Sequence, residues 1–309
     1  SYTLFRMTDS MSYPFQSPYI RELGASPLVL GLMTSLGALL VALVRIPGAF
    51  IADRYGRRKV ISVFTFGVAF SYLFYMLAPD WRFILIGVVA MNLSHVYVPA
   101  LEALEADSIP AEKRGLGYSA INVLPMLPAM LTPPIGGYLV EKLGLVPGVR
   151  IAYGFAFAGG LATALIRAFF LRETLENPEE FRWAEVGSAF KDSIGSIARA
   201  WREMPREMVF LTVAMIIGAF EYPVFRIFMS LYALDVVGVG GFQWSLVSTA
   251  YMVAGLLVGF PIGRMIDSIG RKKSILLAYL FSTPVILLFI LSKSFVHVLI
   301  ANVLFAISQ

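Results

Sequence analysis

The sequence predicts an all-α membrane protein of two pseudo-symmetric six-helix bundles, with about ten transmembrane helices present and the second bundle incomplete. Three observations carry this expectation. Of the 309 residues, 58% are hydrophobic and 15% charged, whereas soluble domains are roughly half apolar and a quarter charged. Apolar stretches close to the ~20 residues that a helix needs to cross hydrocarbon recur along the chain. A charged turn between two of them, "ADRYGRRK" from Ala52, returns as "DSIGRKK" from Asp267.

Taken in order, the spans fall near residues 1–22, 28–51, 60–78, 83–105, 115–140, 148–170, 207–232, 243–265, 274–292 and 295 to the end. Turn chemistry separates them: "LGASP" after the first, "APDW" after the third, "KLGLVPG" after the fifth and "VVGVGG" after the seventh. Between Leu171 and Arg206 no stretch is apolar enough to span. There Val186, Phe190, Ile194, Ile197, Trp201 and Met204 recur at helical spacing among basic residues, which predicts a helix lying on the inner membrane surface. The expected organisation is therefore a bundle at 1–171, a cytoplasmic amphipathic linker at 172–206 and the first four helices of a second bundle at 207–309.

Sidedness follows from Lys and Arg, which cytoplasmic loops retain. With Arg54, Arg57, Arg58 and Lys59 inside, that side also takes Lys113, Arg114, Arg167, Arg172 and the basic residues of the linker and of the second charged turn. It then holds 17 of the 25 basic residues. The net charge of +5 thus tracks the membrane and gives no reason to expect a nucleic-acid partner. With no Cys and two His, neither disulfides nor a metal site is expected, and no cofactor is called for. No Ser-His-Asp spacing, metal-ligand cluster or phosphate-cradling glycine loop suggests an enzyme.

The charged turns belong to a longer repeat. At an offset of 214, Gly24 falls on Gly238, Pro47 on Pro261, Asp53 on Asp267, Gly56 on Gly270, Arg57 on Arg271 and Ser94 on Ser308. Parallel repeats of this kind place a site between two bundles at mid-depth. Two more spans, roughly 80 residues, are expected after Gln309. A chain that lacks an initiator Met and a signal peptide reads as a segment of a longer protein.

Together with "ALEADSIPAEKRGLGYS" from Ala103, the two turns resemble the major facilitator superfamily over essentially the whole chain. The family's turn signature is Gly-x-x-x-Asp-Arg-x-Gly-Arg-Arg/Lys. Asp53, Arg54, Gly56, Arg57 and Arg58 match it, with Ala49 in place of the first Gly; Gly263, Asp267, Gly270, Arg271 and Lys272 match in the second copy, with Ser268 in place of Arg. The resemblance implies two bundles that rock about one central site. It also implies that Arg57 pairs near Asp53 and Asp107, while Asp53 faces the positive N-terminal end of a helix in the opposite bundle and favours the outward-facing state.

The resemblance further implies that spans one, four, seven and ten line the pathway. Span one carries Tyr2, Arg6, Asp9, Tyr13 and Gln16 on one face, a polar stripe that is costly in lipid; Arg6 and Asp9, three apart, could alternatively neutralise each other. On span four Asn92, His95, Pro99 and Glu102 share a face. His95 reads either as a proton carrier or as a helix-to-helix hydrogen bond, and Glu105 reads as structural. Span seven contributes Glu221, among Phe225, Phe228 and Tyr232, and Arg226 beyond Pro223. Arg45 and Asn302 are weaker candidates. Drug antiporters of the family carry an Arg where Gly87 stands here and glycines where Pro128 and Thr132 stand, although Gly136 and Gly137 are kept.

The expected activity is secondary active transport of a small organic solute by alternating access, coupled to protons through some of Asp9, His95, Glu102 and Glu221. The three arginines within spans suit an anionic or zwitterionic solute. Proton antiport of drugs or metabolites is the alternative reading, and a non-transporting receptor or scaffold of the same fold is a third. The expected partners are a solute, protons and the bilayer, for a monomer in the plasma membrane.

Overall fold

The computed structural model describes residues 1–175 and 199–308 together with 179, 187, 191 and 195, apart from the side chains of Ala111, 218–226, Phe260 and Arg271. Its regular elements are all helical among these residues. In chain order they are α1 (Tyr2–Ser12), α2 (Gln16–Glu22), α3 (Pro27–Tyr55), α4 (Arg57–Met76), α5 (Trp81–Ser94), α6 (Val98–Ser108), α7 (Arg114–Ala129), α8 (Pro133–Leu143), α9 (Leu145–Phe170), α10 (Arg206–Leu231), α11 (Gly241–Ile269), α12 (Arg271–Ile290) and α13 (Phe295–Ser308). By length and apolar composition, seven helices among the described residues can cross a membrane; α5 with α6, and α7 with α8, each count as one of the seven.

Prolines divide the spans that are not straight. Pro14 sits in the 3₁₀ turn Tyr13–Phe15 between α1 and α2, and Pro99, lacking an N–H, follows the 3₁₀ turn His95–Tyr97 between α5 and α6. Pro133 and Pro134 open α8, so the fifth span is interrupted at residues 130–132. Capping is explicit where helices leave these breaks. Ser26 accepts from the Val29 amide at 3.3 Å, and Asp80 accepts from the amides of Arg82 and Phe83 at 2.8 and 3.3 Å.

The chain divides into two compact units. One holds Ser1, Ile20–Tyr118 and Ala156–Phe228; the other holds Tyr2–Tyr19, Ser119–Phe155 and Met229–Gln309. In the first unit α3 packs on α5 and α6, and α4 packs on α5. In the second, α11 packs on α8 and α13. Close packing of helices without a hydrophobic drive needs small residues at the contact. A Cβ on Gly48 of α3 would lie 2.4 Å from the Val96 carbonyl oxygen, and one on Gly67 of α4 would lie 2.4 Å from Ser94 Oγ. In the second unit a Cβ on Gly136 would stand 2.2 Å from the Met11 carbonyl, and one on Gly137 would stand 2.2 Å from Ser245 Oγ.

The repeat read at offset 214 is carried by the backbone. Helices α3 and α11 both have 29 residues, α4 and α12 both 20, and α5 and α13 both 14, with every boundary displaced by 214. The paired glycines take the left-handed conformation in both copies: Gly24 and Gly238 at φ 92° and 75°, Gly56 and Gly270 at 96° and 85°. Pro47 and Pro261 both lie inside their helices.

Two expectations are corrected. The signature is not a loop between spans, because Asp53 and Arg54 complete α3, Arg57 begins α4, and Gly56 alone makes the turn. Arg167, counted among the loop cations, lies inside α9 and is 4% exposed. Of the amphipathic face expected in the linker, Trp201 is 46% exposed; Val186, Phe190, Ile194 and Ile197 fall outside the described residues.

Replacing Gly48 with Ala should cost about 1–3 kcal/mol, because the methyl group meets backbone rather than a movable side chain. Thermal unfolding in detergent should show a lower Tm for Gly48→Ala and little change for Gly31→Ala, where nothing lies within 4 Å of the added Cβ.

Candidate functional site

Around Gly56 the chain gathers charge from three segments. Gly56, at positive φ, separates α3 from α4, and a helix N-terminus leaves its first amides without partners of their own. Glu173, just beyond α9, supplies them. Its Oε1 accepts from the Arg57 amide at 3.1 Å, and its Oε2 accepts from the Arg58 amide at 3.0 Å. Oε1 also accepts from the amides of Thr174 and Leu175 at 3.0 and 3.1 Å. Partial burial by itself would raise the Glu173 carboxyl, but the amides of Leu175, Arg58, Arg57 and Thr174 outweigh it and hold the group below its usual range.

The side chains complete the arrangement. Arg57, largely buried, donates from Nη1 to Asp107 and, at 3.0 Å, to Thr174 Oγ1, while its Nη2 lies 3.9 Å from Asp53. Arg58 donates to the Ala168 carbonyl at 2.8 Å, placing a cation at the C-terminal end of α9. Arg54 lies over the Phe50 ring at 4.9 Å and 3.9 Å from Glu179. The sequence pattern picks out Asp53, Arg57 and Asp107, and the structure brings them together. Glu173 and Thr174 were missed; an acid immediately after a span, beside Arg172 on the more basic side, was the available signal.

The second copy repeats the backbone of the turn. Asp267 and Gly270 are exposed, and nothing would crowd a Cβ at Gly270. The Arg271 side chain lies outside the described residues.

Within the spans, Arg45 of α3 donates to Glu102 of α6 at 3.3 Å, an ion pair between two membrane helices that joins two residues singled out separately. His95 places its Nδ1 2.8 Å from the Met91 carbonyl, one turn back in its own span. Asn92 donates to the Val88 carbonyl at 2.7 Å and packs against Gly37, where an added Cβ would sit 3.0 Å from its Nδ2. Arg6 lies over the Tyr2 ring at 5.7 Å, Asp9 is half-buried, and Tyr13 is 44% exposed in its 3₁₀ turn. Asn302 is buried and donates to the Val298 carbonyl of its own helix at 3.1 Å. The side chains of Glu221 and Arg226 lie outside the described residues, on a continuous α10.

Membrane-crossing helices, an ion pair between two of them and a charged turn used twice define a multi-pass membrane protein. The chain belongs to the Major Facilitator Superfamily, whose sequence pattern matches residues 1–309. It is 25% identical over 294 residues to the multidrug resistance protein MdtG of Citrobacter koseri, covering 93% of this chain and 69% of that protein. To MdtG of Salmonella typhimurium it is 26% identical over 302 residues, with the same coverage. In fold it is similar to a bacterial homologue of the human lysosomal transporter Spinster in an inward-facing, occupied conformation. That match has a TM-score of 0.71 and 20% identity, and covers 99% of this chain and 69% of the other. The human organic anion transporter MFSD10 gives a TM-score of 0.64 at 17% identity, over 99% and 81% of the two chains.

Because its folded-state carboxyl is depressed, Glu173 contributes stability above its ordinary value of 4.5 and loses it as pH falls through the lower folded-state value. Glu173→Gln should therefore lower the Tm in detergent at pH 7, and the gap to the parent protein should narrow below about pH 4. A gap that is constant with pH would rule out the charged cap.

Proposed function

We propose that this chain is the greater part of a proton-coupled secondary transporter that moves small organic solutes by alternating access. The observation that carries the reading is the Arg45–Glu102 pair held between α3 and α6. Charge is costly at membrane depth and is retained where it works on a solute or a proton. Asp9, His95, Glu102 and Glu221 are the proposed proton groups, and Arg6, Arg45, Arg226, Tyr13 and Asn92 the proposed polar lining. The proposed gate is the turn of Asp53, Arg54, Gly56, Arg57, Arg58 and Asp107, with Asp267, Gly270 and Arg271 as its second copy.

In this reading α1 with α2, α10 and α13 join the seven longer helices to make ten spans. The chain divides at 1–171, 172–206 and 207–309. A monomer sits in the plasma membrane with both turns and the linker on the cytoplasmic side. Proton antiport of drugs is a second reading, supported by the multidrug resistance names of the relatives that cover 93% of the chain. The arginines within spans support an anionic or zwitterionic solute instead.

Uptake into proteoliposomes holding the full-length protein, under an imposed pH gradient, separates these readings. Ethidium serves as a lipophilic cation and carboxyfluorescein as an anion, beside a broad panel of metabolites. Gradient-driven flux of ethidium favours drug antiport, flux of the anion favours the other reading, and no flux or exchange across the panel removes transport. Asp9→Asn and Glu221→Gln should abolish proton-driven accumulation and spare solute exchange. Asp53→Asn should move labelling of single engineered cysteines toward the inward-facing pattern, read without background because the native sequence has no Cys.

A further inference from the structure

A proline offers no N–H to the carbonyl four residues before it, so a proline in a broken span leaves a main-chain acceptor to be satisfied from elsewhere. The second unit holds three such acceptors. Pro18 deprives the carbonyl of Pro14, Pro133 that of Ala129 and Pro134 that of Met130. Each is met by a side chain from another helix. Trp244 of α11, 4% exposed, donates from Nε1 to the Pro14 carbonyl at 2.9 Å. Thr249, five residues along the same helix, donates to the Met130 carbonyl at 3.1 Å. The hydroxyls of Ser10 on α1 and of Thr132 lie 2.6 Å apart, and both reach the Ala129 carbonyl at 2.9 Å, beside the Thr132 amide at 3.3 Å.

The same end of α11 is pressed onto α8. A Cβ on Gly241 would stand 2.9 Å from Val140 Cγ1, and Glu141 of α8 accepts from the Phe242 amide at 3.3 Å. Helix α11 has 29 residues, about 43 Å, and its signature turn at Gly270 lies at the far end. The three bonds that α11 makes here all fall between residues 241 and 249.

We propose that these contacts form a second gate, at the outer mouth, in which side chains of α11 close on main-chain carbonyls that prolines have freed, with Trp244 and Thr249 as its positioning residues. The proposal rests on the alternating-access reading, in which α1, α2 and α8 move with one bundle, α11 moves with the other, and both signature turns face the cytoplasm. Backbone acceptors, rather than charges, then fasten this mouth. In the closed gate Trp244 and Thr249 satisfy the carbonyls of Pro14 and Met130; in the open gate water takes their place. Two neutral hydrogen bonds are weak enough to break in every cycle and strong enough to bias a two-state equilibrium. Ser10 and Thr132 stay within one bundle and hold α1 against the break.

Double electron–electron resonance on the full-length protein in nanodiscs tests this, with spin labels at Leu143→Cys, the last residue of α8, and Val236→Cys, in the turn after α10. Both positions are exposed, and neither touches the clasp. Trp244→Phe leaves the Pro14 carbonyl unsatisfied in the closed gate alone and should raise the ratio of long to short distances about tenfold. Pro18→Ala returns an N–H to that carbonyl, so in its background Trp244→Phe should change the ratio by about twofold or less. Thr249→Val with Pro134→Ala makes the same cycle at Met130 and carries the test where a Trp244 or Pro18 variant does not fold. An equal shift with and without the proline replacement means that the side chain acts by packing, and overturns the proposal. So does a ratio that ignores both Trp244→Phe and Thr249→Val. In either case the transport reading stands while the parent protein moves a solute in proteoliposomes. Cycles that behave as described in a protein with no flux across the panel overturn the transport reading, and with it the place of this clasp as a gate.

Discussion

A peptide group that enters hydrocarbon has no water to bond to, and the helix is the one structure in which a single segment satisfies its own backbone. That constraint fixes the form of every spanning element here and decides where irregular backbone can stand. The 3₁₀ turns at Tyr13–Phe15 and His95–Tyr97 and the break at residues 130–132 all occur beside prolines. One of them is closely covered by another helix: α3 meets the turn at His95–Tyr97 through Gly48, whose lack of a side chain admits the Val96 carbonyl. Small residues at such contacts replace the hydrophobic drive that is absent between helices in lipid.

The same constraint makes charge informative. The chain carries two kinds of fastening, one at the signature turn and one inside the spans. At the turn, a left-handed glycine creates unpartnered amides, and Glu173 takes them up while Arg57 binds Asp107 and Asp53. In the spans, Arg45 holds Glu102, and Arg167 rests on a hydroxyl and a ring. The repeat at offset 214 preserves helix lengths, glycine conformations and internal prolines. Sequence duplication has kept the backbone geometry, while Ser268 stands where the first copy has Arg54.

Much of this was legible in the chain. Seven helices long and apolar enough to span followed from apolar length, and the repeat followed from glycines and prolines, whose backbone demands are local enough to be read from one sequence. The clustering of Asp53, Arg57 and Asp107 was implied by the family resemblance. Arg167 was misplaced because proximity to a span end looks the same whether a side chain turns toward the surface or toward Thr65 and Tyr97. Glu173 left only a faint signal, an acid just after a span, because its role comes from accepting backbone amides at the start of another helix, and amides carry no residue identity. The contact of His95 Nδ1 with the Met91 carbonyl is one that any histidine can make four residues beyond a carbonyl, so sequence alone does not single it out. Side-chain direction, rather than position along the chain, separates what could be foreseen from what could not.

The most direct measurement of the Glu173 fastening is hydrogen exchange at the first turn of the full-length protein in nanodiscs, resolved to single amides. If Glu173 holds the start of α4, the Arg57 and Arg58 amides should exchange about tenfold more slowly in the parent protein than in Glu173→Ala, the ratio expected when one charge-assisted bond must open first. Equal exchange in the two proteins, or faster exchange in the parent, would contradict the view that a carboxylate from beyond α9 locks this turn.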